Sequence, residues 1–206
     1  MTLKQAKTER GFSILELLIA LTLTLIVMSA ATTLLATSLR TRTRENKRSE
    51  ALTDAQRALS MMSREIGNSG YGLNGNGIAA GDSGSASIRV RADLNNNLIL
   101  AVADLEADED VRYVFQSSNR TIVRYSPLPA GNPTTTVMAY DVTFMQLTYY
   151  DAIGAAITDS SQYLNAERVR VEIRVEFPAT GGIPASIVGL VSDVALRNAP
   201  NTLEQF

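Results

Sequence analysis

Apolar and polar positions divide the chain into three regimes. From Leu17 to Leu39 no residue is charged, and the polar members of that run are Thr and Ser only. Twenty helical residues span roughly 30 Å, the thickness of a bilayer's hydrocarbon core, so this stretch predicts a membrane-length helix. A block of charge follows, made of Arg40, Arg42, Arg44, Glu45, Lys47 and Arg48. Beyond it Leu52, Ala55, Leu59, Met62 and Ile66 recur at helical spacing, opposite Asp54, Arg57, Ser60 and Arg64, which predicts an amphipathic helix with one buried face. No Pro or Gly interrupts Phe12 to Ile66, so one helix of about fifty residues is expected. The alternative is two helices separated by a hinge near Thr41 to Asn46.

Gly67 ends the helical pattern, and seven of the thirteen glycines fall in residues 67 to 84. By composition this is a long flexible loop. Short alternating segments follow: 86 to 91, 97 to 103, 111 to 116, 120 to 125, 136 to 142 and 143 to 151. The clearest is RVRVEIRVEF at 168 to 177, with Val169, Val171, Ile173, Val175 and Phe177 on one side and Arg168, Arg170, Glu172, Arg174 and Glu176 on the other. That is a half-buried strand with a charged solvent face. SSNR at 117 to 120 reads as a hairpin turn, and 187 to 199 as a last strand closing the sheet. The expected fold is α+β, an antiparallel sheet laid on the C-terminal half of the long helix. The predicted organisation is a leader at 1–11, a membrane helix at 12–39, an amphipathic helix at 40–66 and a β-rich head at 67–206.

Composition removes most catalytic chemistry. The chain has no cysteine and no histidine, hence no thiolate nucleophile, no imidazole base and no soft-metal ligand set. GDSGS at 81 to 85 resembles a serine-protease nucleophile loop, but that mechanism needs a histidine to accept the serine proton. A hydrolase working through carboxylates is a remote alternative, since no carboxylate pair stands out from the charged face of the sheet. The expectation is a protein that is not an enzyme. Formal charge is −2, with Lys4, Lys7 and Arg10 gathered in the leader, so no nucleic-acid footprint is present.

One spacing raises the question of calcium. Asp93, Asn95, Asn97 and Asp104 stand at positions 1, 3, 5 and 12 of a twelve-residue window, the oxygen spacing of an EF-hand loop. Position 6 is Leu98 where glycine is wanted, and the following residues are apolar, so a polar turn between strands is the competing expectation. The acidic cluster Asp104, Glu106, Asp108, Glu109 and Asp110 is either part of such a site or a solvated surface. Tyr149 and Tyr150 are either a contact surface or core.

Glu16 is anomalous in this pattern, a carboxylate at the head of the apolar run. A cleaved secretory signal explains the basic leader and the small residues Ser29, Ala30 and Ala31, with a cut near Ala31. A plain signal anchor explains Glu16 as half of a Ser13/Glu16 capping box. A third reading takes all the features together: a basic leader ending Arg10-Gly11, then Phe12, then Glu16 as the fifth residue after the glycine, then the uncharged helix.

In that register the chain resembles the prepilins of type IV pili and type II secretion pseudopilins. The resemblance implies cleavage by prepilin peptidase between Gly11 and Phe12 and N-methylation of Phe12. It also implies a filament ion pair between Glu16 and the terminal ammonium of a neighbouring subunit. AQRALSMMSREIGNSGYG (55 to 72) and VSDVALRNA (191 to 199) look like PilW-type minor pilins. The implied partners are other major and minor pilins and an inner-membrane assembly platform. The implied location is the bacterial inner membrane, as a single-pass precursor with its head outside the cytoplasm, and then the filament. The alternative is a J-type pseudopilin of a type II secretion system, which has the same processing site and a similar fold. Many pilins close a C-terminal loop with a disulfide, and here packing alone must hold it.

Overall fold

The computed structural model describes residues 11–97, 108–127, 133–177, 179 and 184–199. The predicted strand at 97 to 103 lies outside them, Asn97 excepted.

Helix α1 runs from Ile14 to Gly67, and its helical assignment is unbroken through Thr41 to Asn46. The chain divides into two compact units, one ending at Lys47 and one beginning at Arg48. In the first unit every residue from Gly11 to Leu39 is exposed, including Phe12, Leu15, Ile19, Leu25, Ile26 and Leu35. An apolar surface that goes all round a helix belongs to a buried or membrane environment, not to water. The threonines of this run bond their own backbone. Thr22, Thr24, Thr33 and Thr37 donate their hydroxyls to Ile19, Leu21, Ala30 and Leu34 carbonyls at 2.8–2.9 Å, and Thr32 donates to Met28. Such back-bonding leaves little unmet polarity for lipid to solvate.

In the second unit the helix buries Ala51, Ala55, Ala58, Met62 and Ile66, with Leu52 and Leu59 only partly covered. The buried face is thus the expected one rotated slightly, with Ala51 and Ala58 in place of Leu52 and Leu59. Alanines make up the first part of this buried line, Met62 and Ile66 complete it, and the leucines flank it.

Two four-stranded antiparallel sheets complete this unit, where the sequence led us to expect one. The first is a meander of β1 (Ser87–Arg91), β2 (Asp110–Gln116), β3 (Thr121–Ser126) and β4 (Thr134–Ala139). The second has the order β6-β5-β7-β8, from β5 (Val142–Tyr150), β6 (Ala156–Ile157), β7 (Arg168–Phe177) and β8 (Ser186–Ala195). The run 136 to 142 is therefore not one strand. Asp141 adopts a left-handed backbone, φ +58°, and ends the first sheet just before Val142 opens the second. The 117 to 120 hairpin joins β2 to β3 as expected. Along β7 all five apolar residues are buried and the charged ones face outward.

The glycine-rich segment is not the flexible loop its composition indicated. Gly70 N–H bonds Arg91 O at 2.9 Å, Arg91 N–H bonds Gly77 O at 2.9 Å, and Ala79 N–H bonds Arg89 O at 2.9 Å. Asn76 is fully buried, and its Nδ2 donates to Tyr163 O and Ala166 O at 2.8 and 2.9 Å. Glycine here permits close backbone approach rather than motion.

Tyr149 is core, stacked on Tyr163 with ring centroids 3.8 Å apart. Tyr150 lies on the outer face beneath Arg168. Burial pushes the hydroxyl pKa of Tyr149 upward, and burial, followed by the Glu65 carboxylate, does the same to Tyr113. A folded pKa above the unfolded value of about 10 favours the neutral form, so this stabilisation is complete below pH ~10 and is lost as pH rises above it. Alkaline titration is therefore expected to show these two phenols ionising only as near-UV circular dichroism collapses. Their ionisation in a chain that keeps its near-UV spectrum would contradict the burial.

Candidate functional site

The site begins where the helix does. Gly11, Phe12 and Ser13 are non-helical and exposed, with Phe12 at 86 % exposure. Nothing lies within 4 Å of the position a Cβ would take on Gly11. Among the described residues nothing covers the Gly11–Phe12 bond.

Ser13 is the cap. Its Oγ accepts Leu15 N–H at 3.3 Å, and Glu16 Oε2 accepts Ser13 N–H at 3.4 Å. The two bonds form a capping box of long reach, satisfying donors that the first helical turn leaves orphaned. The capping role weighed from the sequence is therefore present. It uses one carboxylate oxygen of Glu16 in an exposed side chain, and so is compatible with a second partner from another molecule. Glu16 also sits at the end of the helix where negative charge is favoured by the aligned peptide dipoles.

Three of the four proposed calcium residues lie among those described. Asp93, Asn95 and Asn97 occupy a turn after β1, with Asn96 at φ +58°; Asp104 lies outside the described residues. Asp93 Oδ1 and Asn95 Oδ1 both accept Asn97 N–H, at 3.2 and 3.0 Å. Glu109 Oε1 accepts Leu94 N–H at 3.1 Å and Asn95 N–H at 3.3 Å. These oxygens hold backbone, as in a self-capped polar turn. Among the described residues no group of three His, Cys, Asp or Glu is placed to hold a metal ion.

Nor is the acidic cluster uniformly a solvated surface. Asp108 is exposed, but Glu109 and Asp110 are buried. Asp110 receives Arg89 through two bonds of 2.7 Å and Arg91 Nε at 3.1 Å. Arg89 also bonds Asp82, holding that carboxyl below the usual carboxylate range. Across the first sheet from this cluster, Glu65 of α1 receives Tyr113 Oη at 2.7 Å and Arg124 Nη2 at 3.0 Å. Sequence reading missed both networks. The available signal was Arg89 and Arg91 on alternate positions of one strand, facing an acidic stretch that opens the next.

A family model described as the prokaryotic N-terminal methylation motif matches residues 6–32. The chain carries a prepilin-type N terminus. The matched segment contains Gly11, Phe12, Glu16 and the uncharged run as far as Thr32. It suits a membrane-anchored single-pass precursor and processing by prepilin peptidase, and it goes with an α+β, pilin-like architecture of long apolar helix followed by antiparallel sheets. A search of curated proteins found no match to the chain.

Proposed function

We propose that this chain is a minor pilin of a type IV pilus, cut after Gly11, methylated at Phe12 and drawn from the inner membrane into the filament with other pilins. The observation that carries the reading is a register. An exposed, non-helical Gly11–Phe12 bond precedes a capped helix whose first turn holds Glu16 and whose next 23 residues bear no charge. No catalytic role is proposed.

The finer PilW-type reading draws support from packing. The two stretches that carry it, 55 to 72 and 191 to 199, are neighbours in the fold. Ser63 Oγ bonds Ser192 Oγ at 2.9 Å, Arg197 N–H reaches Gly67 O at 3.3 Å, and Asn198 Nδ2 donates to Ser69 O at 3.0 Å. Residues that must fit one another form one feature rather than two chance matches. A J-type pseudopilin of a type II secretion system has the same N-terminal chemistry, and the two are separated by whether the protein is recovered in sheared pili.

Glu16 offers a test that separates capping from charge. A carboxylate within hydrocarbon costs about 2.5–3.5 kcal/mol at mid-bilayer and less near an end, so a cationic partner stabilises it. Glu16→Gln keeps an oxygen for Ser13 N–H and removes the charge; Glu16→Ala removes both. Both variants are expected to be cleaved normally and to enter filaments on the order of tenfold less, the factor that loss of about 1.4 kcal/mol gives. If Glu16→Gln enters filaments like the native chain, the residue is a cap and nothing more.

A further inference from the structure

On the proposed membrane reading, we infer that Arg40, Arg42, Arg44 and Lys47 form a collar that binds anionic phospholipid headgroups on the head side of the membrane. Three observations lead there. The first is depth: from Glu16 to Arg40 the helix rises roughly 36 Å, while the hydrocarbon core is about 30 Å thick. With Glu16 at one boundary, the collar lies in the headgroup layer of the other leaflet.

The second is placement around the helix. Arg40, Arg44 and Lys47 follow one another at spacings of four and three and share a face, while Arg42 projects from the opposite side. Arg40, Arg42 and Lys47 are exposed. The intervening threonines are turned to their own backbone, Thr41 Oγ1 to Thr37 O and Thr43 Oγ1 to Leu39 O, each at 3.0 Å. Against these four cations the same stretch holds one anion, Glu45. Arg44 is half-buried and has a contact of its own, and Arg48, the last cation of the block, has its guanidinium 5.3 Å from the centre of the Phe177 ring.

The third is asymmetry. Basic residues flanking a membrane helix normally mark its cytoplasmic side. Here the leader's Lys4, Lys7 and Arg10 are removed by cleavage after Gly11, and the remaining cations beside the helix all lie toward the head. A dense cationic flank on the translocated side finds its complement in lipid phosphates, which draw Lys and Arg strongly at the membrane surface. The collar then fixes the depth of the waiting subunit until Glu16 finds its filament partner.

The chain has no cysteine, so Ser49→Cys gives one site for a donor dye. The processed full chain is reconstituted in phosphatidylcholine vesicles with equal, small amounts of acyl-labelled phosphatidylglycerol or phosphatidylcholine as acceptor. Severalfold greater energy transfer to phosphatidylglycerol is expected. It should fall to parity when all four residues are changed (Arg40→Gln, Arg42→Gln, Arg44→Gln, Lys47→Gln), and also at 1 M salt, where the screening length drops to about 3 Å. Parity in the native chain, or a preference that survives the four substitutions, overturns the inference while an alkaline-carbonate wash still shows the chain inserted. Removal of the native chain by that wash overturns the membrane reading, and the collar falls with it.

Discussion

Gly11→Val is expected to leave the chain uncut, carrying its first eleven residues in the membrane, with almost no mature form detectable. The bond after Gly11 lies in exposed, non-helical backbone, and on the proposed reading the peptidase grips that backbone closely, where a β-branched side chain would stand beside the scissile carbonyl. The fold itself gives no reason for loss. A Cβ on Gly11 meets nothing within 4 Å, and the helix is capped independently by Ser13. Immunoblotting of membranes for the two sizes, with the head's thermal unfolding as a control, checks this. Efficient cleavage of the valine variant would place the cut elsewhere.

Gly77→Ala is expected to destabilise the head by about 3 kcal/mol or more, a fall in Tm on the order of 10 °C, for reasons remote from the membrane. Gly77 has φ +74°, and a Cβ there would stand 2.2 Å from Gly70 N and 2.4 Å from Arg91 O. Both neighbours are backbone and are held by their own hydrogen bonds, so neither can retreat without breaking the ladder that ties the segment after α1 to β1. Ordinary side chains are strained in this backbone conformation before any clash is counted. Gly81→Ala is the matched control, with open space at its Cβ and an ordinary backbone, and should change stability by no more than about 0.5 kcal/mol. Equal effects at the two positions would contradict the packing described here.

These two glycines mark what the sequence could and could not disclose. Gly11 draws its proposed role from linear order, basic leader, glycine, phenylalanine, then Glu16 at a fixed offset, all within the segment that matches the methylation motif. Gly77 was not legible, because its constraint comes from Arg91 and Gly70, brought close only by folding, and composition alone made the same residues look flexible. The strands showed the same division. β7 was readable to the residue because strict alternation reports burial on one face. The boundary between the two sheets was hidden, since Tyr140 and Asp141 interrupt an apolar run without Gly or Pro. The helix face differs slightly from the expected one, since Ala51 and Ala58 are buried while Leu52 and Leu59 are only partly so. The burial of Asp110 and Glu109 was hidden, since charged residues are seldom buried and their arginine and backbone partners are distant in sequence.

The account stands most directly on the mature N terminus. Intact mass and the N-terminal peptide should be determined for the protein taken from membranes of a host that has prepilin peptidase. A chain beginning at N-methylated Phe12 is the predicted result. A chain beginning near Thr32 with an unmodified amine would contradict it, and would mean that the apolar helix is an ordinary secretory signal and the head a secreted soluble protein.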